Sequence, residues 1–260
     1  MPRPDRRQTA LRAPSRGYVT SVPARTHDAP AYALSSRLLA EAIGTFVVVL
    51  AAICVDVSYF SGSGADYTAR WLTRAFVTAA AIYAFSDISG AHLNPAVTFG
   101  FALRGVFRWP VAFAFAGAQL AGAAAATLLA FVPYGAHVAF GASRPGPGIA
   151  PALAGGCELV LTFIVMLVIF CTAEQQAVVG KQAAIAVGLA VGACGFLAGP
   201  ISGASMNPAR SIVPELLTGQ PAFVWIYLIG PLAGAALATG AMYLLCGRPN
   251  RDERRAARGR

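Results

Sequence analysis

Two asparagines carry the most informative chemistry in the chain, because each is followed by Pro-Ala within a repeated motif. The motif Ser-Gly-Ala-X-X-Asn-Pro-Ala begins at Ser89 and again at Ser202, which places the asparagines at positions Asn94 and Asn207. Asn is a preferred N-cap, and proline is favoured at the first helical position, so each copy predicts a helix that begins after its asparagine. The side-chain amides and free backbone N–H groups at two such helix starts can donate hydrogen bonds to a neutral acceptor, and they repel cations.

Both of these predicted helices are short. Apolar runs over 97–103 and 211–217 follow the two motifs, and a glycine closes each run soon afterwards. At about 1.5 Å per residue, such a helix reaches only about 15 Å, which is half of the ~30 Å hydrocarbon core of a bilayer. Each copy therefore predicts a half-helix that begins near the membrane midplane, provided that the flanking chain lies in the membrane.

The composition indicates a membrane protein. Hydrophobic residues make up 57% of the chain, charged residues make up only 12%, and the mean hydropathy is +0.60, whereas soluble domains carry about 25% charged residues. The net charge of +9 favours anionic lipid over nucleic acid as a partner, because most arginines lie in the two tails. The histidines and cysteines lack metal-ligand spacing, so neither a metal nor another cofactor is expected.

The spans needed to hold the half-helices are present, and they repeat. Each half-helix follows two long apolar segments and precedes a third, so an odd number of spans reverses the orientation of the second copy relative to the first. Glu41 in the first span and Glu158 in the fourth are part of the same internal repeat. The sequence predicts an all-α membrane fold with six spans and two half-helices in an inverted repeat. The predicted spans are 38–57, 71–88, 110–131, 155–173, 182–199 and 222–246.

The chain divides into a membrane domain and two basic tails. Residues 1–34 are rich in Arg and Pro and predict a disordered cytoplasmic tail, 35–247 form the membrane domain, and 248–260 form a second basic tail. With both tails placed inside, sixteen of the 20 Lys and Arg residues lie on the inner side. This bias predicts cytoplasmic termini.

The doubled Asn-Pro-Ala motif, set in an inverted repeat, resembles the aquaporin, or major intrinsic protein, family over about residues 35–247. The resemblance implies a right-handed six-span bundle that forms one channel per subunit, assembles as a homotetramer and resides in the plasma (inner) membrane. It also implies a central constriction. The residues of this constriction are Asn94, Pro95, Ala96, Asn207, Pro208 and Ala209.

The same resemblance implies a second constriction, a selectivity filter, formed by Arg210, Ala204, Gly195 and Arg74. Ala204 and Gly195 are small, so the filter is expected to be wider than in strict water channels. Arg74 departs from the family pattern, in which an aromatic residue or histidine is usual. Two interpretations of Arg74 stay open, namely a second filter arginine facing Arg210, and an arginine that snorkels to headgroups or pairs with Asp56 or Asp66. A small register shift would instead place Phe76 or Thr73 at the filter.

Three hypotheses on function follow. The first is a passive channel for water or small uncharged solutes such as glycerol, which excludes ions and protons. The second is a proton-coupled secondary transporter in which Glu41 or Glu158 titrates, since carboxylates within spans are functional candidates. The repeat instead favours a structural role for both, as acceptors for irregular loop backbone. An enzyme is not expected, because the sequence shows no nucleophile–base set, metal cluster or phosphate loop. The choice of solute stays open.

Overall fold

The computed structural model describes residues 32–259, and the secondary structure of that part of the chain is helical throughout. Most of the predicted N-terminal tail, 1–34, lies outside the described residues. Short 3₁₀ turns supplement ten α-helices in the described range. The helices are α1 Leu34–Phe60, α2 Tyr67–Ser89, α3 Pro95–Leu103, α4 Trp109–Tyr134, α5 Pro151–Glu174, α6 Gln176–Val179, α7 Ala183–Ser202, α8 Pro208–Leu217, α9 Val224–Cys246 and α10 Arg251–Arg258.

Five helical segments among the described residues are long and apolar enough to cross a membrane. They contain α1, α4, α5, α7 and α9. The helix α2 has 23 residues, which is sufficient for a span, but it is more polar because it contains two arginines and an aspartate. It nevertheless packs between α1 and α7 along its length. The second predicted span, 71–88, is therefore recognised by its packing rather than by its composition.

The packing follows the inverted repeat. Helices α1, α2, α3 and α4 correspond to α5, α7, α8 and α9, and the contacts match, since α1 packs on α4 and α5 packs on α9. Each short helix also crosses to the other repeat, because α3 packs against α9 and α8 packs against α4. The predicted fold class is confirmed, and the exchange of short helices locks the two repeats together.

Matched glycines allow the closest helix contacts. A Cβ added at Gly122 of α4 would collide with the carbonyl oxygen of Ala42 on α1. A Cβ added at Gly234 of α9 would collide in the same way with the carbonyl oxygen of Leu159 on α5. Small residues allow such approach in lipid, where no hydrophobic force drives helices together. These two glycines fix the spacing of the helix pairs that flank the half-helices.

The helix α10 covers one end of the bundle, which we call the terminal side because α1 begins and α9 ends there. Glu253 of α10 accepts a hydrogen bond of 2.9 Å from Nε of Arg104, and neither residue has any exposed surface. Arg104 also donates to the carbonyl of Gly247 at 2.7 Å. The segment 248–260, predicted only as a basic tail, thus contains a helix docked on the membrane domain.

Candidate functional site

Irregular backbone connects each span to its half-helix. Helix α2 ends at Ser89 and helix α7 ends at Ser202, so 90–94 and 203–207 are not helical. Four non-glycine residues in these segments have positive φ angles, and the residues are Ala91 (48°), Leu93 (52°), Ala204 (43°) and Met206 (54°). Left-handed conformations of this kind cost about 1–3 kcal/mol each and persist only when surrounding structure fixes them.

In the first segment, the fixing group is Glu41 of α1, which is fully buried. One carboxylate oxygen accepts from the hydroxyl of Ser89 at 2.6 Å and from the backbone N–H of His92 at 2.9 Å. The other oxygen accepts from the backbone N–H of Leu93 and from the side-chain amide of Gln119, both at 2.7 Å. Four donors therefore hold this carboxylate, and it in turn holds the strained loop.

Glu158 of α5 does the same for the second segment. It accepts from the Ser202 hydroxyl at 2.7 Å, from the Ser205 backbone N–H at 2.9 Å and from the Met206 backbone N–H at 2.7 Å. Glu158 is also fully buried. Both carboxylates are occupied by loop donors, which is the structural arrangement that the repeat favoured.

The two asparagines meet across the centre of the bundle. Asn94 Oδ1 accepts from the N–H of Ala96 at 2.9 Å, and Asn207 Oδ1 accepts from the N–H of Ala209 at 3.0 Å, so each caps its half-helix. Asn94 Nδ2 donates to the Met206 carbonyl at 2.7 Å. Reciprocally, Asn207 Nδ2 donates to the Leu93 carbonyl at 2.9 Å. These bonds bring the tips of α3 and α8 together, with Pro95 and Pro208 opening the helices.

A cavity of about 150 Å³ passes this meeting point. Both asparagines line it, as do Arg74, Arg210 and Ala204 on one side of the centre. Toward the terminal side the lining includes His92 and Ala256, the latter from α10. The amide donors, the loop carbonyls and two guanidinium groups thus share one cavity.

Arg210 is held on the side of the centre opposite α10. Its Nη2 donates to Oδ2 of Asp56 at 2.5 Å, and its Nη1 donates to the hydroxyl of Ser143. Arg74 Nη2 also donates to Oδ2 of Asp56, and Nη1 donates to the carbonyl of Gly203 at 3.4 Å. Arg70 Nε completes the set with a 2.7 Å bond to Oδ1. One buried carboxylate on α1 therefore binds three guanidinium groups.

This geometry resolves the open interpretations of Arg74. Arg74 is only 5% exposed, so it does not snorkel, and it both pairs with Asp56 and lines the cavity beside Arg210. Asp66 instead caps α2 by accepting from the N–H of Ala69 at 2.7 Å. Phe76 is 65% exposed. Neither Phe76 nor Thr73, the two residues of the alternative register, is among the residues that line the cavity.

Gly195 is expected to line a wide constriction, but the structure places it elsewhere. A Cβ on Gly195 would overlap the ring of Trp71, which is fully buried. Gly195 also lies outside the cavity lining in the described part of the chain. The indole fills the space that the glycine leaves, so the absence of a side chain at 195 does not by itself widen the cavity.

Sequence reasoning did not assign a site role to Asp56 or Trp71. Asp56 was named only as one of two partners for Arg74, although an acid near the end of an apolar span is a signal in itself. The signal for Trp71 was the pair Gly195 and Gly199, because both leave room for this one side chain. A large residue on α2 that faces two glycines on α7 can be found only after the two helices are known to pack.

On the terminal side, the site is formed by an aromatic ring and by α10 rather than by arginines. The His92 ring contacts Thr98 Oγ1 through Nδ1 and the Ala257 carbonyl through Nε2, both at 3.0 Å. The ring also stacks on Phe101 with centroids 4.9 Å apart. In α10, burial raises the pKa of the Glu253 carboxyl above its usual range, although the hydrogen bond from Arg104 opposes that rise.

The sequence model of the major intrinsic protein family matches residues 30–243, which is most of the chain. The chain belongs to the major intrinsic protein family. Among its relatives, Aquaporin NIP1-4 of Oryza sativa subsp. japonica is 41% identical over 212 residues, covering 80% of this chain and 76% of that protein. Putative aquaporin NIP4-1 of Arabidopsis thaliana is 38% identical over 217 residues, covering 82% of this chain and 75% of that protein.

A solved structure, the aquaglyceroporin from Plasmodium falciparum, shares the fold with a TM-score of 0.75. It is 23% identical and covers 82% of this chain and 98% of that one. Membership of the major intrinsic protein family makes this protein an integral, multi-pass membrane channel for water and small solutes rather than an enzyme. The predicted family and the predicted class of function are confirmed.

Proposed function

We propose that water and small uncharged solutes pass passively, in single file, between Asn94 and Asn207, and that Arg210 and Arg74 form the filter on the side opposite α10. Ala204 lines the same cavity, whereas Gly195 lies outside the lining and leaves room for the Trp71 ring. The observation that carries the proposal is the single cavity lined by both asparagines and both arginines. The channel domain is 35–247.

The proposed exclusion of ions rests on charge. Each half-helix start carries about half a positive charge, and the two starts point at each other. A solute at the centre accepts from the remaining amide N–H groups of Asn94 and Asn207, so it cannot pass a proton onward along a water chain. Two guanidinium groups at the filter add fixed positive charge, which repels cations.

The alternative, a proton-coupled transporter, is disfavoured. Coupling through Glu41 or Glu158 requires a carboxylate that can gain and lose a proton during transport. Each of these groups already accepts at least three hydrogen bonds that fix a strained loop. Protonation would remove acceptors from that loop, and no relative described above is named as a coupled transporter.

The experiment that tests the proposal is stopped-flow light scattering of proteoliposomes with sucrose, glycerol and urea as osmolytes. We expect fast shrinkage and a solute-specific reswelling that is insensitive to a pH gradient and to uncoupler. Arg74→Phe should change the ratio of glycerol to water permeability, because it removes one charge from the filter. The matched control is Phe76→Leu on the exposed face of the same helix. Unchanged ratios in Arg74→Phe would remove this arginine from the filter.

We further propose a homotetramer in the plasma (inner) membrane with both termini cytoplasmic. The orientation is supported by the sixteen Lys and Arg residues that this arrangement places inside. The tetramer is supported by membership of the family. Protease digestion of a C-terminal tag in sealed and inverted vesicles tests the orientation, and light scattering of the detergent-purified protein tests the assembly.

A further inference from the structure

The filter carries an excess of positive charge. We call Arg70, Arg74 and Arg210 the filter arginines; all three are at least nine-tenths buried, and all three bind Asp56. One carboxylate therefore faces three guanidinium groups, which leaves two positive charges over. Buried charge is costly unless it is paired, so this arrangement favours an additional negative partner.

The nearby carboxylates do not fill that role. Glu158 is occupied by the loop, and Asp66 is exposed and caps α2. Glu215 of α8 is buried, but its oxygens contact no hydrogen-bond donor among the described residues, and it lies outside the cavity lining. Even if Glu215 is ionised, the filter arginines retain a positive excess.

One filter donor is also unused. Arg74 Nε has no hydrogen-bond acceptor within the described range, although the residue is 5% exposed and lines the cavity. The Arg74 guanidinium carbon lies 4.5 Å from the centroid of the Trp71 ring, which fixes the plane of the group. Arg210 lines the same cavity and shares Oδ2 of Asp56 with Arg74. Two guanidinium groups are thus held side by side, and the Nε–H of Arg74 has no acceptor among the described residues.

The complementary ligand is small, planar, singly charged and rich in acceptors. Guanidinium groups bind planar oxyanions through paired N–H donors, and such charge-assisted bonds are about twice as strong as neutral ones. We propose that Arg74 and Arg210 form a binding site for a small planar oxyanion, such as nitrate or a short carboxylate, and that the bound anion blocks the water path. The inference rests on the proposed function, because blockade requires that the filter lies on that path.

Blockade rather than conduction follows from the charges along the cavity. The filter offers the anion a positive excess over Asp56, whereas the centre offers amide donors and about half a charge from each half-helix. Leaving the filter therefore costs the anion more than it gains at the next position. In a single-file path, water cannot pass an occupant that stays.

The test compares nitrate with gluconate, a much bulkier anion, at equal concentrations on both sides of proteoliposomes. Shrinkage in sucrose gives the water permeability in each salt. We expect nitrate to inhibit wild type in a dose-dependent way and Arg74→Gln to weaken the apparent affinity roughly tenfold. Arg108→Gln, which removes an exposed arginine on the terminal side, is the control and should keep wild-type inhibition.

A binding measurement separates this inference from the proposed function. The change in melting temperature from gluconate to nitrate should be more favourable in detergent-purified wild type than in Arg74→Gln, because the general effect of the two salts is common to both proteins. Equal inhibition of wild type and Arg74→Gln, or an equal change in melting temperature in the two proteins, would overturn the anion site. Water permeability in gluconate tests the channel alone. Anion currents without inhibition would contradict blockade.

Discussion

The two halves of the inverted repeat share a scaffold but differ in the group that follows each Asn-Pro-Ala. The residue three after the asparagine is Val97 in the first half and Arg210 in the second. Both half-helices are capped by their asparagine, and the backbone N–H groups of both preceding loops donate to a buried glutamate. The backbone arrangement is therefore shared by the two copies, whereas the proposed filter lies where the copies depart from each other.

The two halves also differ in the residues that form their ends of the cavity. In the first half, His92 connects Thr98 to the carbonyl of Ala257 on α10, so part of the lining comes from the end of the chain. In the second half, the equivalent position is Ser205, whose hydroxyl bonds that of Ser211. One end of the cavity is lined in part by a docked helix and the other by a charge cluster. Substitutions that give one half the residue of the other test which of these differences affect stability or permeation.

The largest effect is expected from the shared scaffold, through Glu41→Gln and Glu158→Gln. Glutamine retains the shape but turns an amide NH₂ toward loop donors, which strands about two buried donors at ~1–3 kcal/mol each. Glu41→Gln should lower the unfolding temperature in detergent more than Glu158→Gln, because Glu41 serves four donors. The control Asp87→Asn breaks only a half-exposed pair with Lys181 and should have little effect. Equal stability of all variants would contradict the scaffold role.

The next largest effect concerns α10, the helix docked on the terminal side of the bundle. Glu253→Gln leaves the buried Arg104 without its counter-charge, which costs about 3–5 kcal/mol when one member of a buried pair is removed. We expect α10 to undock, and hydrogen exchange of its amides to become much faster than in wild type. Replacing both residues by methionine should restore protection, since it removes both charges. Persistent protection in Glu253→Gln would show that the ion pair does not hold α10.

A smaller but functionally decisive effect is expected from Arg210→Val, which gives the second half the residue of the first. Asp56 keeps Arg70 and Arg74, so the fold should survive. The filter loses one fixed charge, and proton or sodium leak should rise roughly tenfold, equivalent to about 1.4 kcal/mol. A pH-sensitive dye enclosed in proteoliposomes measures the leak, and Val97→Ala is the matched control. An unchanged leak would assign exclusion to the asparagines alone.

The smallest effect is expected from His92→Ser, which gives the first half the residue of the second. The substitution removes one hydrogen bond to the Ala257 carbonyl and the stacking on Phe101. A loss of about 1 kcal/mol in α10 docking follows, visible as modestly faster exchange in α10. Its water permeability should stay within about twofold of wild type, since the loop remains fixed by Glu41. Complete undocking of α10 would mean that His92, rather than Arg104, anchors it.

Much of this architecture could be predicted from the sequence because repetition is visible there. The half-helices, the spans and the paired glutamates recur at matching places, and each has a local signal such as Asn-Pro or an apolar run. The arginine cluster at Asp56 was harder to predict, because Asp56, Trp71 and Arg74 meet only when α1, α2 and α7 pack. Docking of α10 was missed for the same reason, since Glu253 lies 149 residues from Arg104.

The shared carboxylate of Asp56 has a consequence for how the chain enters the membrane. An acidic residue costs up to about 3.5 kcal/mol on insertion of an isolated helix, but Arg70 follows on the next helix and binds Asp56 at 2.7 Å. The first two helices thus contain both members of this ion pair, so the acid is neutralised within the first repeat. Arg210 connects the second repeat to the same carboxylate, so the cluster of three arginines is complete only when both halves of the protein are assembled.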